Sequence, residues 1–210
     1  MKFNLRNIFS GLLVICALIV TSLLLKKELF NNKESTISTL NNWEYLIDGG
    51  KSIDAQKIYI IEFFDYQCPY CSILDATLDS IKSKFKNKVE MIRYHLPLSI
   101  HPLAYRLAIA SECAKIQNNF ENFHKALMEN QYRLNSINIM ELARHIGIKD
   151  LRQFQACVDE EKTLDIISNN IRLAKEYKIN TTPTLIINDK IISGLIDLNA
   201  IEEIIKDKLN

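Results

Sequence analysis

The sequence predicts an α/β fold interrupted by an all-helical segment, and three observations carry that reading. An apolar run, Ile58–Phe64, is followed by a helical pattern, Pro69–Phe85, and by a second strand-like run, Val89–His95. From about residue 103 to residue 178 the apolar spacing is then helical throughout. After residue 183 the period shortens to that of strands, with residues 184–188 and 190–193 flanking Asn188-Asp189 as a hairpin before a closing amphipathic helix.

Taken in order, residues 1–27 form a first segment. Lys2 and Arg6 precede an uncharged, mainly apolar run over residues 8–25, and Lys26-Lys27 follow it. Such a run is either an export signal or a membrane anchor; it is longer than an ordinary signal core and reaches the lower bound for a span. Val20-Thr21-Ser22 is a weak cleavage site with three leucines after it, which favours the uncleaved anchor. Cys16 follows Ile15, a poor match to a lipoprotein signal, and reads as apolar filler. Residues 28–42 read as a polar tether, and residues 43–47 as a short strand ended by Asp48-Gly49-Gly50. The domain proper is expected over residues 43–210, long enough for one substantial core. A β-α-β unit of this size should be a right-handed crossover with parallel strands. In the helical part, Leu103, Leu107, Ala110 and Ala114 mark one apolar face, Gly147 a helix stop and Asp150 a helix cap. The chain carries a formal charge of +1, which argues against a nucleic-acid binder.

The centre of the chain is Cys68-Pro69-Tyr70-Cys71, between strand and helix. Cysteines three residues apart on a helix lie on one side of it, a turn apart. Cys68 would sit at the helix start, where unpaired N–H groups and the macrodipole favour a thiolate, and Pro69 occupies a tolerated first-turn position. Cys71 would be more buried. By itself the motif also fits half a zinc site, but a second Cys-x-x-Cys pair is missing from the sequence.

Phe63-Phe64-Asp65-Tyr66-Gln67-Cys68-Pro69-Tyr70-Cys71 resembles the active-site segment of the DsbA-like thioredoxin-fold protein-disulfide oxidoreductases. Thr181-Thr182-Pro183-Thr184-Leu185-Ile186-Ile187-Asn188 resembles that family's cis-proline loop and following strand, and Tyr94-His95-Leu96-Pro97-Leu98 with His101-Pro102-Leu103-Ala104 resembles its segment after the second strand. The resemblance spans roughly residues 57–208. It implies a thioredoxin fold with an inserted all-helical domain at about residues 103–178, a catalytic pair Cys68 and Cys71, and a cis bond at Thr182-Pro183 beside Cys68. The backbone edge at Thr182 would then let an extended substrate add as a strand. Many family oxidases carry histidine where this chain has Tyr70, so the most extreme oxidising power is not expected; related isomerases also use Pro-Tyr.

Glu62 lies within the apolar strand on the face of Ile60 and Phe64, either buried or, at an edge, in water. If buried it must be neutral or paired. Arg93 in the neighbouring strand is the natural partner, able to hold a carboxylate bidentately, and a related charged pair lies beneath the active site in the family. Glu62 is then expected to serve as proton acceptor and donor for Cys71. Cys113 and Cys157 lie on separate helices and are expected to form a second disulfide in an exported domain. Of four scattered histidines, His95 alone is placed where it could approach the site, and no metal and no cofactor are expected. The resulting expectation is an exported oxidase that makes disulfides in reduced, unfolded proteins at the bacterial periplasm or the outer face of the cytoplasmic membrane. A quinone-linked membrane oxidase would recycle it, and it would be a monomer attached to the membrane if the first segment is uncleaved. The alternatives are an isomerase or reductase of the same family, and a redox-silent binding chaperone.

Overall fold

The computed structural model describes residues 16, 19–22, 36–47, 50 and 53–209 of the chain. Two compact units divide it at residue 34. In the first, residues 16 and 19–22 are helical; the rest of the apolar run, and so the choice between signal and anchor, lies outside the described residues. Among the described residues no helix is long and apolar enough to cross a membrane.

The second unit is built on a five-stranded sheet in the order β1-β5-β4-β2-β3. Its strands are β1 (Thr36–Thr39), β2 (Ile58–Phe64), β3 (Val89–His95), β4 (Thr184–Ile187) and β5 (Lys190–Ser193). β2 runs parallel to β3 and antiparallel to β4, and β5 lies between β4 and β1, antiparallel to both. All seven residues of β2 are buried, because helices cover both faces of the sheet. On one face Ile58 and Ile60 pack with Leu74, Leu78 and Ile81 of helix α1 (Pro69–Phe85). Ile201 and Ile205 of the closing helix α7 (Leu198–Leu209) complete that layer. On the other face Tyr59, Ile61 and Phe63 pack with Trp43, Leu46 and Ala174. The hairpin turns through Asn188 at φ 49°, and Asn188 Oδ1 accepts from the Tyr59 N–H at 2.8 Å, which pins the turn to β2.

Between β3 and β4 come α2 (Ala104–Lys115), α3 (Phe120–Glu129), α4 (Ile139–His145), α5 (Leu151–Asp159) and α6 (Leu164–Glu176). Asp150 caps α5 by accepting from the Gln153 N–H at 2.9 Å. A disulfide joins Cys113 on α2 to Cys157 on α5, 44 residues apart in sequence.

Three expectations are corrected. The stretch 28–42, read as a tether, contains β1: its four residues are exposed, and pairing with β5 rather than burial makes them a strand. Residues 43–47 hold a 3-10 turn, Trp43–Leu46, that buries Trp43 and Leu46 against the sheet. The helical segment 103–178 is not wholly an insert, since α6 returns to the sheet and Ala174 is buried in its second layer.

Candidate active site

Cys68 is the N-cap of α1, with extended backbone (φ −79°, ψ 115°) and Pro69 in the first turn. The Cys71 N–H donates to the Cys68 carbonyl at 3.1 Å, closing that turn. Cys68 keeps 4% exposure and Cys71 none, so one sulfur is at the surface of the core and the other inside it. Both are free thiols. The Cys68 thiol is lowered to about 6, first by a hydrogen bond from the Cys71 thiol, with smaller help from the Thr182 side chain and from the Cys71 and Tyr70 backbone N–H groups, against the opposing effect of burial. At pH 7 that corresponds to roughly ten thiolates per thiol. The N–H groups of the helix start thus contribute to the stabilisation, and the Cys71 thiol contributes more. Burial pushes the Cys71 thiol well up, and its hydrogen bond to Cys68 and the Glu62 charge add to that.

The Thr182–Pro183 bond is cis, and the Cys68 Sγ–H donates to the Thr182 carbonyl at 3.3 Å. Thr182 Oγ1 is buried and, among the described residues, has no hydrogen-bond partner in this dithiol form. It is a donor that a thiolate at Cys68 could use.

Glu62 is fully buried and in register with Arg93 across the parallel ladder. Arg93 Nε lies 3.4 Å from Glu62 Oε2, an ion-pair distance. The bidentate grip expected from the sequence is absent. The two terminal nitrogens turn elsewhere, Nη2 to Asp75 Oδ1 at 3.0 Å and Nη1 to Glu121 Oε2 at 3.4 Å. Burial raises the Glu62 carboxyl to about 7, with Arg93 opposing and Asp75 adding to the rise. The folded value thus exceeds the unfolded one, so the contribution to stability is full below about pH 4.5 and is lost as the pH rises through about 7. Glu62→Gln, which cannot ionise, is therefore expected to gain on the wild type as the pH rises from 5 to 8, by a few kcal/mol on the order of the shift. Denaturant midpoints at the two pH values test this; a pH-independent difference would exclude it.

Several site residues were not singled out from the sequence. Asp65 accepts from the Gln67 and Leu98 N–H groups, each at 2.8 Å, and pairs with His101 at 2.7 Å. Gln131, in a 3-10 turn after α3, donates to the Tyr66 and Cys68 carbonyls, so the helical segment holds the cysteine loop in place. His124 bridges Asp75 (3.0 Å) and the Tyr66 hydroxyl (3.1 Å). His95, the histidine expected nearest the site, instead pairs with Glu112 at 3.2 Å, its ring against Phe64. Asp75 did carry a signal: it lies four residues after Cys71, on the same helix face. Among the described residues no group of three or more His, Cys, Asp or Glu side chains could hold a metal ion.

A family model described as Thioredoxin matches residues 53–207. The Na(+)/H(+) antiporter NhaA 1 of Mycolicibacterium gilvum is 31% identical over 134 residues, 62% of this chain and 22% of that protein. This chain thus spans about a fifth of the first curated relatives it matches. The thiol:disulfide interchange protein DsbA of Buchnera aphidicola is 30% identical over 164 residues, 70% of this chain and 72% of that one. BdbD from Bacillus subtilis shares the fold, with a TM-score of 0.66 at 24% identity over 75% of this chain and 90% of its own.

Proposed function

This chain belongs to the thioredoxin family, among its DsbA-like thiol:disulfide oxidoreductases, and from that membership we propose that it introduces disulfides into newly translocated proteins. The observation that carries the reading is the asymmetry of the two thiols. Cys68, at about 6, is a good nucleophile and a better leaving group, whereas Cys71 is buried with its thiol pushed up.

The reaction begins from the oxidised pair. A substrate thiolate attacks Cys68 Sγ, the Cys68–Cys71 bond breaks, and Cys71 leaves with the electron pair and takes up a proton. A second substrate thiolate then attacks the substrate sulfur of the mixed disulfide, and Cys68 leaves as a stabilised thiolate. The substrate loses two electrons and two protons, and the enzyme becomes the dithiol. Recycling runs the same steps backwards, and Cys71 must then lose its proton to attack. Glu62, at about 7, is suited to give that proton in one direction and take it in the other. Thr182 and Pro183, beside Cys68, offer backbone along which an extended substrate can lie.

Reduced, unfolded proteins are the substrates in this reading, and a quinone-linked membrane oxidase is the recycling partner. The place of work is the bacterial periplasm or the outer face of the cytoplasmic membrane, and the protein acts as a monomer. The Cys113–Cys157 disulfide supports an oxidising compartment, as does the apolar run near the N-terminus.

The deciding measurement is the redox equilibrium of Cys68 and Cys71 with glutathione. A potential nearer about −120 mV than about −270 mV supports an oxidase; the reverse supports a reductase, and absence of exchange a binding chaperone. Glu62→Gln should slow the steps in which Cys71 attacks or leaves while changing the Cys68 thiolate titration little. Stopped-flow oxidation beside absorbance titration tests both halves, and unchanged kinetics with a large Cys68 shift would overturn this role for Glu62.

A further inference from the structure

A guanidinium presents its N–H groups as a planar fork, and its lowest-energy grip on a buried carboxylate uses two of them. Arg93 does not grip Glu62 that way. Three carboxylates share its guanidinium: Asp75 and Glu121 take the terminal nitrogens, and Nε is left facing Glu62 at 3.4 Å. Among the described residues, both Glu62 oxygens and Arg93 Nε are buried without a hydrogen-bond partner. Leaving such atoms unpaired is costly, so something must hold the fork away.

The restraint runs through His124. Asp75 Oδ1 accepts from Arg93 Nη2 and also contacts His124 Nε2, each at 3.0 Å. A carboxylate can only accept, so Nε2 carries a proton; with the ring neutral, the Tyr66 hydroxyl donates to Nδ1 at 3.1 Å. Burial lowers the proton affinity of His124, in keeping with a neutral ring. The ring is also stacked on Phe120, with centroids 5.6 Å apart. Tyr66 stands two residues before Cys68, and Asp75 one helical turn after Cys71. The chain of contacts therefore begins and ends on the cysteine segment.

We propose that Asp75 and His124 are positioning residues for the proton chemistry of this site: they hold the Arg93 fork away from Glu62 and leave its carboxylate open to the Cys71 proton. A bidentate grip would fix Glu62 as an anion and make it a poor proton carrier. The side-on contact keeps the positive charge near without closing the carboxylate. This role rests on the thiol:disulfide exchange proposed above.

The groups facing Glu62 and the guanidinium are Cys68 at the N-cap of α1, Cys71 and Asp75 from α1, Arg93 from β3, and Glu121 and His124 from α3. Behind them stand Tyr66, His95 and Glu112, with Lys82 on Glu121 at 3.9 Å. Losing the Asp75 charge frees the fork and removes a repulsion from Glu62, and both changes lower the proton affinity of Glu62.

The test is the pH profile of the rate at which Cys71 displaces glutathione from a Cys68–glutathione mixed disulfide, in the full chain. Asp75→Asn should move the Glu62-dependent inflection to lower pH by about one unit or more, about a tenfold loss of proton affinity. His124→Phe should move it in the same direction. His124→Gln, whose amide can still donate to Asp75, should restore the wild-type profile. In a Glu62→Gln background, Asp75→Asn should move no inflection, which a general structural defect would not reproduce. Thiolate absorbance of Cys68 should change little in the single variants. If the wild type forms and resolves the mixed disulfide but the Asp75→Asn profile coincides with it, this inference fails and the exchange reading stands. If the wild type does not exchange with glutathione at all, the exchange reading fails first. Should His124→Phe not fold, Asp75→Asn with and without Glu62→Gln decides alone.

Discussion

Cys68→Ser is expected to abolish disulfide exchange, and Cys71→Ser to stop it halfway with substrate held covalently on residue 68. The difference follows from where the two sulfurs sit. Cys68 caps the helix, has the lowered thiol, and keeps the small exposure that lets another sulfur reach it. A serine hydroxyl there is neither an appreciable anion at neutral pH nor able to form the mixed disulfide. Cys71 is shut off from solvent and its thiol is pushed up, so it meets Cys68 rather than substrate. Without it, reduced Cys68 can still exchange with an oxidised partner, and the adduct then lacks its internal escape. Non-reducing electrophoresis followed by peptide mass spectrometry reads both results. Adducts mapping to Cys71 in the wild type would reverse the two roles.

Removing the Cys113–Cys157 bridge is expected to lower stability by about 4 kcal/mol with little loss of exchange activity in the folded protein. The bridge closes a loop of 44 residues between α2 and α5; restricting the unfolded chain by such a loop is worth about 4 kcal/mol in the chain-entropy model. For a domain of this size that corresponds to a fall in Tm of roughly 10 °C. Neither cysteine lies on α1, and both belong to the apolar cluster of the helical segment, which also reaches Cys68 and Cys71. The double alanine variant should therefore unfold earlier yet, while folded at 25 °C, still exchange at a rate close to that of the wild type. Peptide mapping without reductant should recover one linked peptide. Recovery of both cysteines as alkylated thiols would remove the basis of the prediction.

What the sequence by itself determined was local. The three-residue spacing of Cys68 and Cys71, with Pro69 after the first, places a sulfur at a helix start whatever the helix packs against. The unbroken apolar run of β2 requires cover on both faces. Asp150 caps its helix through a contact three residues away, and Asn188 turns the hairpin by taking a positive φ. Beyond the local features, the sequence named Arg93 in the neighbouring strand as the partner of Glu62; the pairing of β2 with β3 sets the two in register.

Tertiary structure decided what depends on partners far along the chain. Thr36–Thr39 is exposed, and it is a strand because β5, over 150 residues away, supplies its hydrogen bonds. The Trp43–Leu46 turn and the return of α6 to the sheet are set by the faces they cover, which local periodicity does not identify. The orientation of Arg93 is the sharpest case. Strand pairing placed it opposite Glu62, but a guanidinium turns toward whichever acceptors surround it. Those acceptors, Asp75 and Glu121, come from two helices brought together by packing, with His124 holding one of them. Backbone hydrogen bonds fix a residue's place in a ladder; the direction of a long charged side chain is fixed by the folded interior around it.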